Sequence, residues 1–184
     1  MPKVCPEIFD PTIMHISELF SLVLDGTLYP IGDAFVCPDT VNDRLLRSQI
    51  FARYLPGASI ADRHSASWIW GAKSSPPHKP QVCLDPARRS RLSSIFDAVQ
   101  HPISPDDTLR LTGIRVTTPF RTALDIMLTS PQFDEEEKSE VQQLLAIDTV
   151  SPMKLCETIE KTQRSGSRRA RERVRLLVQE YEKS

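Results

Sequence analysis

The sequence is short of glycine, of paired cysteines, of long apolar runs and of net charge. Six glycines in 184 residues leave no P-loop, no dinucleotide-binding fingerprint and no G-x-S-x-G elbow. The four cysteines, Cys5, Cys37, Cys83 and Cys156, are widely spaced, with no C-x-x-C pair and no nearby histidine at metal-site spacing. They read as free thiols of a reducing compartment, so neither a disulfide, a metal nor a cofactor is expected. No stretch approaches the ~18 apolar residues of a membrane span, and no charged-then-apolar leader opens the chain. A cytoplasmic protein without a membrane partner is expected. With 23 Lys+Arg against 24 Asp+Glu, the net charge is -1, so any affinity for nucleic acid must come from a local patch.

What is present is ordinary for a globular chain: 40% hydrophobic and 26% charged residues, in a length that suits one domain or two small ones. Fifteen prolines suggest many stiff connections. The stretch Gly113 to Met127 organises the rest. Ile114 and Val116 alternate with Arg115, as in a half-buried strand. Thr118 then offers an N-cap hydroxyl, and Pro119 fits the first helical position. Ala123, Leu124, Met127 and Leu128 form the helix's apolar stripe, with Phe120 at its head. Arg121 and Asp125, four apart, meet on the helix surface. They form either an exposed ion pair or a partly buried fork tying the helix to a neighbouring backbone; a ligand-binding role is the third reading.

Taken in order, residues 1–14 read as an irregular, proline-rich arm. Ile16, Leu19, Phe20, Val23 and Leu24 have helical spacing, stopped by Asp25-Gly26. Residues 28–36 carry a hairpin signal, weakened by Pro30. Pro38-Asp39-Thr40 is expected to open the next helix, with Val41, Leu45, Ile50 and Leu55 inward and Arg44, Arg47 and Arg53 on a solvated face. A short strand at 58–61 leads into a helix capped by Asp62, with Trp68 as a core anchor. His64 reads as a satisfied structural histidine or as a catalyst. Strands are expected at 81–85, at 94–99 with an interruption at Asp97-Ala98, and at 108–111, the last turning back at Thr112-Gly113. Four acids at 134–137 suit a helix N-terminus without any metal. Its apolar face includes Ile147. A further helix starts at Ser151-Pro152, and after Ser165-Gly166-Ser167 a last helix turns Ala170, Val174, Leu177, Val178 and Tyr181 inward.

Two motifs carry a family resemblance. The segment from Ser59 to Gly71, with His64-Ser65-Ala66, Trp68 and Trp70-Gly71, resembles the H-S-A-A…W-G segment of AbiEi-type antitoxins and transcriptional regulators. The segment Gly113 to Asp125, with Val116-Thr117-Thr118-Pro119, Arg121-Thr122 and Asp125, is similar to that family's G-I-x-V-T-T-P-x-R-T-x-x-D segment. The resemblance spans roughly residues 16 to 177. It implies a bacterial type IV toxin–antitoxin protein: an N-terminal winged helix for operator DNA and a C-terminal domain that counteracts a nucleotidyltransferase-like toxin. The chain departs from that pattern in lacking the helices of a complete winged helix before His15. No Asp followed by a Glu-x-Lys pair appears after a strand, as an endonuclease domain would need, so metal-dependent cleavage is not expected.

The expected fold is α+β, a small, mostly antiparallel sheet with packed helices. A partial winged-helix-like helix and hairpin precede it, and a helical tail follows. The domain reading is 1–37 for the arm, helix and hairpin, 38–130 for the α+β core and 131–184 for the helical region. Two functions compete. The first is a non-enzymatic antitoxin-like or regulator-like binder, with DNA and a toxin protein as partners. Arg164, Arg168, Arg169, Arg171, Arg173 and Arg175 would make its nucleic-acid contact, with Arg88 and Arg89 as a second patch. The second is an enzyme, or a degenerate one, with a pocket around His64, Ser65, Arg121 and Asp125. Adjacent His64 and Ser65 on one helix point about 100° apart, which argues against a base–nucleophile pair.

Overall fold

The computed structural model describes residues 8–55, 59–84 and 94–181. Strand β1 (Ile8–Phe9) turns into helix α1 (Ile16–Leu24), followed by strands β2 (Tyr29–Ile31) and β3 (Ala34–Val36). The expected hairpin is present. Pro30 is tolerated because the antiparallel sheet order is β1-β3-β2, which leaves β2 at an edge. The arm is not irregular throughout: Ile8 and Phe9 pair with Val36 and Phe35 and are buried, so two apolar residues are enough to add a strand. Helix α2 (Arg44–Ala52) starts later than Pro38-Asp39-Thr40 implied. Asp43 is the cap, its carboxylate accepting from the Leu45 and Leu46 N–H groups at 2.9 Å each. Val41 and Leu45 are therefore exposed rather than inward, while Leu46, Ile50 and Phe51 fill the core.

The second sheet holds β4 (Ile60–Ala61), β5 (Gln81–Leu84), β6 (Asp97–Gln100), β7 (Thr108–Leu111) and β8 (Ile114–Thr117). Its order is β6-β5-β4-β8-β7. Helix α3 (Arg63–Trp70) follows β4, and α4 (Pro119–Thr129) follows β8. Pairs β4–β5 and β7–β8 are antiparallel, whereas β4–β8 and β5–β6 are parallel. The fold is thus α+β, with a three-stranded antiparallel sheet and a five-stranded mixed one. Asp97 and Ala98 do not interrupt β6; they begin it, because β6 is an edge strand and Asp97 is held by Arg63. The β7–β8 turn lies at Thr112 and Gly113, both at positive φ (43° and 94°), as a tight hairpin requires.

Helices α5 (Glu135–Ile147), α6 (Pro152–Lys161) and α7 (Ser167–Tyr181) complete the described chain. One core cluster runs from Ile8 and Val36 through Trp68, Val82 and Met127 to Leu144, Ile159 and Leu177. On α5 and α7 three residues expected to face inward are not in it, half-buried Val178 among them. Ile147 is the last residue of α5 and Tyr181 the last described residue of α7, and both are exposed where those helices outrun the core. Among the described residues no helix is long and apolar enough to cross a membrane.

Candidate functional site

Two strand-to-helix corners lie side by side because β4 and β8 are parallel neighbours, with Ala61 opposite Val116. At the second corner Thr118 caps α4 by accepting from the Arg121 N–H, and Pro119 takes the first turn. The corners are stitched together by hydroxyls and an indole. The Thr117 hydroxyl, 2.7 Å from that of Thr122, donates to the Ala61 carbonyl at 3.4 Å, and Trp70 Nε1 donates to the Thr117 carbonyl at 2.8 Å. Trp68 is the core anchor expected, 1% exposed. Arg47 runs along its ring and donates to its carbonyl at 2.8 Å, so the face read as solvated is partly used for packing.

Arg121 and Asp125 are buried, which excludes the exposed ion pair. Arg121 Nε donates to Asp125 Oδ2 at 2.8 Å, and its Nη1 reaches Asp107 Oδ2 at 2.6 Å, just before β7. The fork therefore ties α4 to another carboxylate rather than to backbone. Burial alone would lower the Arg121 pKa, but Asp125 and Asp107 more than offset it and raise it. The other oxygen of Asp125 accepts from Arg164 at 2.6 Å. The sequence assigned Arg164 to a nucleic-acid patch; the structure uses it as an internal ligand of Asp125.

The first corner carries strain. Asp62 sits at the N-cap position of α3 but makes no side-chain cap bond, contrary to expectation. Its Oδ1 instead takes Arg63 Nε at 3.2 Å, and Arg63 itself has φ 45°, a conformation that costs about 1–3 kcal/mol. Arg63 is held there by Asp97, through the carboxylate at 2.8 Å and the carbonyl at 2.7 Å. Asp62 is fully buried, and its Oδ2 has no hydrogen-bond partner among the described residues. Burial pushes its carboxyl up to about 7. Cys83 is also fully buried, and burial pushes its thiol up to about 11. His101 lies next to both and is lowered by burial.

His64 turns the other way, toward α5. Its Nδ1 meets Glu140 at 2.9 Å and its Nε2 meets Glu137 at 3.2 Å. The Ser65 hydroxyl is buried and accepts from Gln81 N–H at 2.8 Å. The pocket proposed around His64, Ser65, Arg121 and Asp125 is thus two separate polar clusters that share no hydrogen bond. The acids at the start of α5, read as dipole partners, also serve these contacts: Glu137 accepts from Ser130 and Glu136 from Lys73. Glu140, Asp107, Asp62 and His101 were not singled out as site residues. They meet their partners only through the tertiary fold, 76 residues apart in the case of His64 and Glu140. The sequence signal available was Asp62 itself, an acid directly after a strand and before an arginine.

The arginine cluster divides in the same manner. Arg171 donates to the Glu160 and Thr162 carbonyls at 3.2 Å, closing the end of α6. Arg173 donates to the Met127 carbonyl at 3.1 Å and lies over Phe133. Both are thus held by internal acceptors. Arg168, Arg169 and Arg175 stay exposed, Arg168 at 95%, with Glu172 3.9 Å away. Arg88 and Arg89 lie outside the described residues.

No family model matches the chain, and no curated protein does. Among solved structures it is similar to the RV2827C protein from Mycobacterium tuberculosis, with a TM-score of 0.46 and 18% identity. That likeness covers 90% of this chain and 70% of the other, and at such values it adds nothing to the reading of the site.

Proposed function

We propose that this chain is a non-enzymatic binding protein of the antitoxin or regulator kind, acting on another protein in the cytoplasm. One observation carries the reading: a row of exposed apolar side chains along α1. Ile16, Phe20 and Leu24 are four residues apart on one side of the helix, with exposed Ile13 in the turn before it, and Leu24 is 88% exposed. Helix α1 has no lysine or arginine, so it offers phosphates nothing to contact. It lies between the strands of the small β1-β3-β2 sheet, where a partial winged helix would carry its recognition helix. An apolar row of this kind suits a protein surface better than a DNA groove.

The polar groups point the same way. His64, Ser65, Arg121 and Asp125 have their hydrogen-bonding capacity taken up by the chain's own residues, which leaves none of them poised as a base or nucleophile. The resemblance to AbiEi-type proteins supplies the partner class, a nucleotidyltransferase-like toxin. Co-expression with such a toxin from the neighbouring gene tests this. The unaltered chain restores growth and co-purifies with the toxin, and Leu24→Asp with Phe20→Ser abolishes both. Continued arrest beside the unaltered chain rejects the reading.

A second reading, nucleic-acid contact through α7, keeps three exposed arginines, Arg168, Arg169 and Arg175. A gel shift that disappears across roughly 50–200 mM salt and on their reversal to Glu would favour it.

A further inference from the structure

Three residues that could ligate a metal converge beneath the first corner, and none of them has a role in the reading above. Asp62 directly follows β4, Cys83 lies within β5, and His101 directly follows β6. Strand order β6-β5-β4 brings the three segments together. One carboxylate oxygen, the thiol sulfur and one ring nitrogen all lie within 4.8 Å of one another. Asp62 and Cys83 are fully buried, and half-buried His101 gives the cluster its side toward solvent.

Each of the three has a donor atom without a short bond. Asp62 Oδ2 has no partner among the described residues. The Cys83 sulfur makes only long contacts, to the His101 carbonyl at 3.5 Å and the Leu84 carbonyl at 3.7 Å. His101 Nδ1 lies 3.3 Å from the Pro102 carbonyl, a geometry in which Nδ1 carries the proton and Nε2 the lone pair. A metal-bound histidine typically donates its second ring N–H to such a carbonyl. Arg121 and Arg164 approach the two ring nitrogens at 3.4 Å each, but both guanidinium groups have shorter bonds to Asp107 and Asp125.

Among the described residues the surrounding charges are also one cation short. Asp62, Asp97, Asp107 and Asp125 face Arg63, Arg121 and Arg164. Three of the carboxylates are matched by short bonds to these arginines, leaving Asp62 with only the long side contact from Arg63. A buried carboxylate in this position needs either a proton or a cation.

We propose that Asp62, Cys83 and His101 bind a thiophilic divalent ion, Zn²⁺ by preference, which ties β4, β5 and β6 together. Sulfur, imidazole and carboxylate are the zinc donor set, whereas Mg²⁺ and Ca²⁺ take oxygen alone. Bonds of about 2.0–2.3 Å hold tetrahedral ligand atoms roughly 3.3–3.8 Å apart, so the cluster closes by about 1 Å of side-chain movement. The two anionic ligands, Asp62 and the Cys83 thiolate, match the ion's charge, and two protons, that of the thiol and the one Asp62 holds in the ion's absence, leave to solvent on binding.

The test uses the full chain, stripped with a chelator and titrated with Co²⁺ and then Zn²⁺. One Co²⁺ per chain is expected, with the near-ultraviolet thiolate-to-cobalt band and the visible bands of a tetrahedral site. Zn²⁺ should displace it and raise the melting midpoint by several degrees. Cys83→Ser should remove the thiolate band, while Cys5→Ser, Cys37→Ser and Cys156→Ser keep it. His101→Gln, at a half-buried position that tolerates change, should weaken Co²⁺ binding at least tenfold without lowering the melting midpoint of the stripped protein. A folded chain that takes up no stoichiometric Co²⁺ or Zn²⁺ overturns the proposal and leaves a proton on Asp62. So does a thiolate band that survives Cys83→Ser, or an affinity that His101→Gln leaves unchanged.

Discussion

Arg164 Nη1 lies 2.6 Å from Oδ1 of Asp125, joining the α6–α7 connection to the middle of α4 across 39 residues of sequence. Asp125 is 1% exposed and keeps its other oxygen for Arg121, which also holds Asp107, so it is the buried hub of a four-member ion network. Removing the hub strands Arg164 and leaves buried Arg121 with Asp107 alone. Asp125→Ala should therefore cost about 3–5 kcal/mol in urea unfolding, whereas Arg164→Ala, at a third-exposed side chain, should cost about 1 kcal/mol. A cost for Asp125→Ala within ~0.5 kcal/mol of that for Arg164→Ala would show that the network is not built around the acid.

Gly166 opens α7 at a φ of 85°, with the Leu128 carbonyl oxygen directly beneath it. A Cβ at this position would overlap that oxygen, and the backbone conformation would be strained as well. Neither atom belongs to a flexible side chain that can swing aside. Gly166→Ala should cost more than the ~1 kcal/mol typical of losing a glycine at positive φ, read as a lower urea midpoint with an unchanged slope. Gly26→Ala, at a φ of 71° with open space around its Cβ, is the control that carries strain without the clash.

These two sites show what could be read from the residue order and what could not. The Thr118-Pro119 corner was legible because caps and period are local: the hydroxyl, the imino acid and the apolar stripe lie within one helix turn or two. The hairpin at 28–36 was legible for the same reason. The start of α2 was not, since Asp39, Thr40 and Asp43 all carry cap chemistry and only the fold selects Asp43. Asp97 looked like a strand breaker because its partner, Arg63, lies 34 residues away. The arginines of α7 looked like one basic patch because their acceptors are carbonyls of α4, of α6 and of the segments that follow them. A backbone carbonyl leaves no mark in a sequence.

Tyr54 gives a pH signature independent of the ion network. It packs edge-on against Phe51, with ring centroids 5.3 Å apart, and burial together with the Asp33 charge raises its phenol above the ordinary value near 10. The neutral phenol is favoured in the folded state. Between the unfolded and folded pKa values the unfolded chain has lost a proton that the folded one keeps, so stability falls as pH rises above about 10. Ultraviolet difference titration should show one tyrosine ionising late, and Tyr54→Phe should remove that late step and flatten the loss of stability. A titration in which no tyrosine ionises late would contradict the burial of Tyr54.

The exposed row on α1 must be shown to matter for partners and not for the fold. Leu24 is 88% exposed, so Leu24→Asp removes little buried area and should change stability by no more than about 0.5 kcal/mol. Leu19, fully buried on the same helix, is the opposite case: Leu19→Ala should cost about 2–5 kcal/mol. Phe20 lies between them, because its ring meets Phe35 edge-on at 5.6 Å although half of it is exposed. If Leu24→Asp abolishes growth rescue while its melting midpoint stays with the parent, α1 is a contact surface. If the midpoint falls as far as it does for Leu19→Ala, the row is part of the chain's own packing, and the docking reading loses its carrying observation.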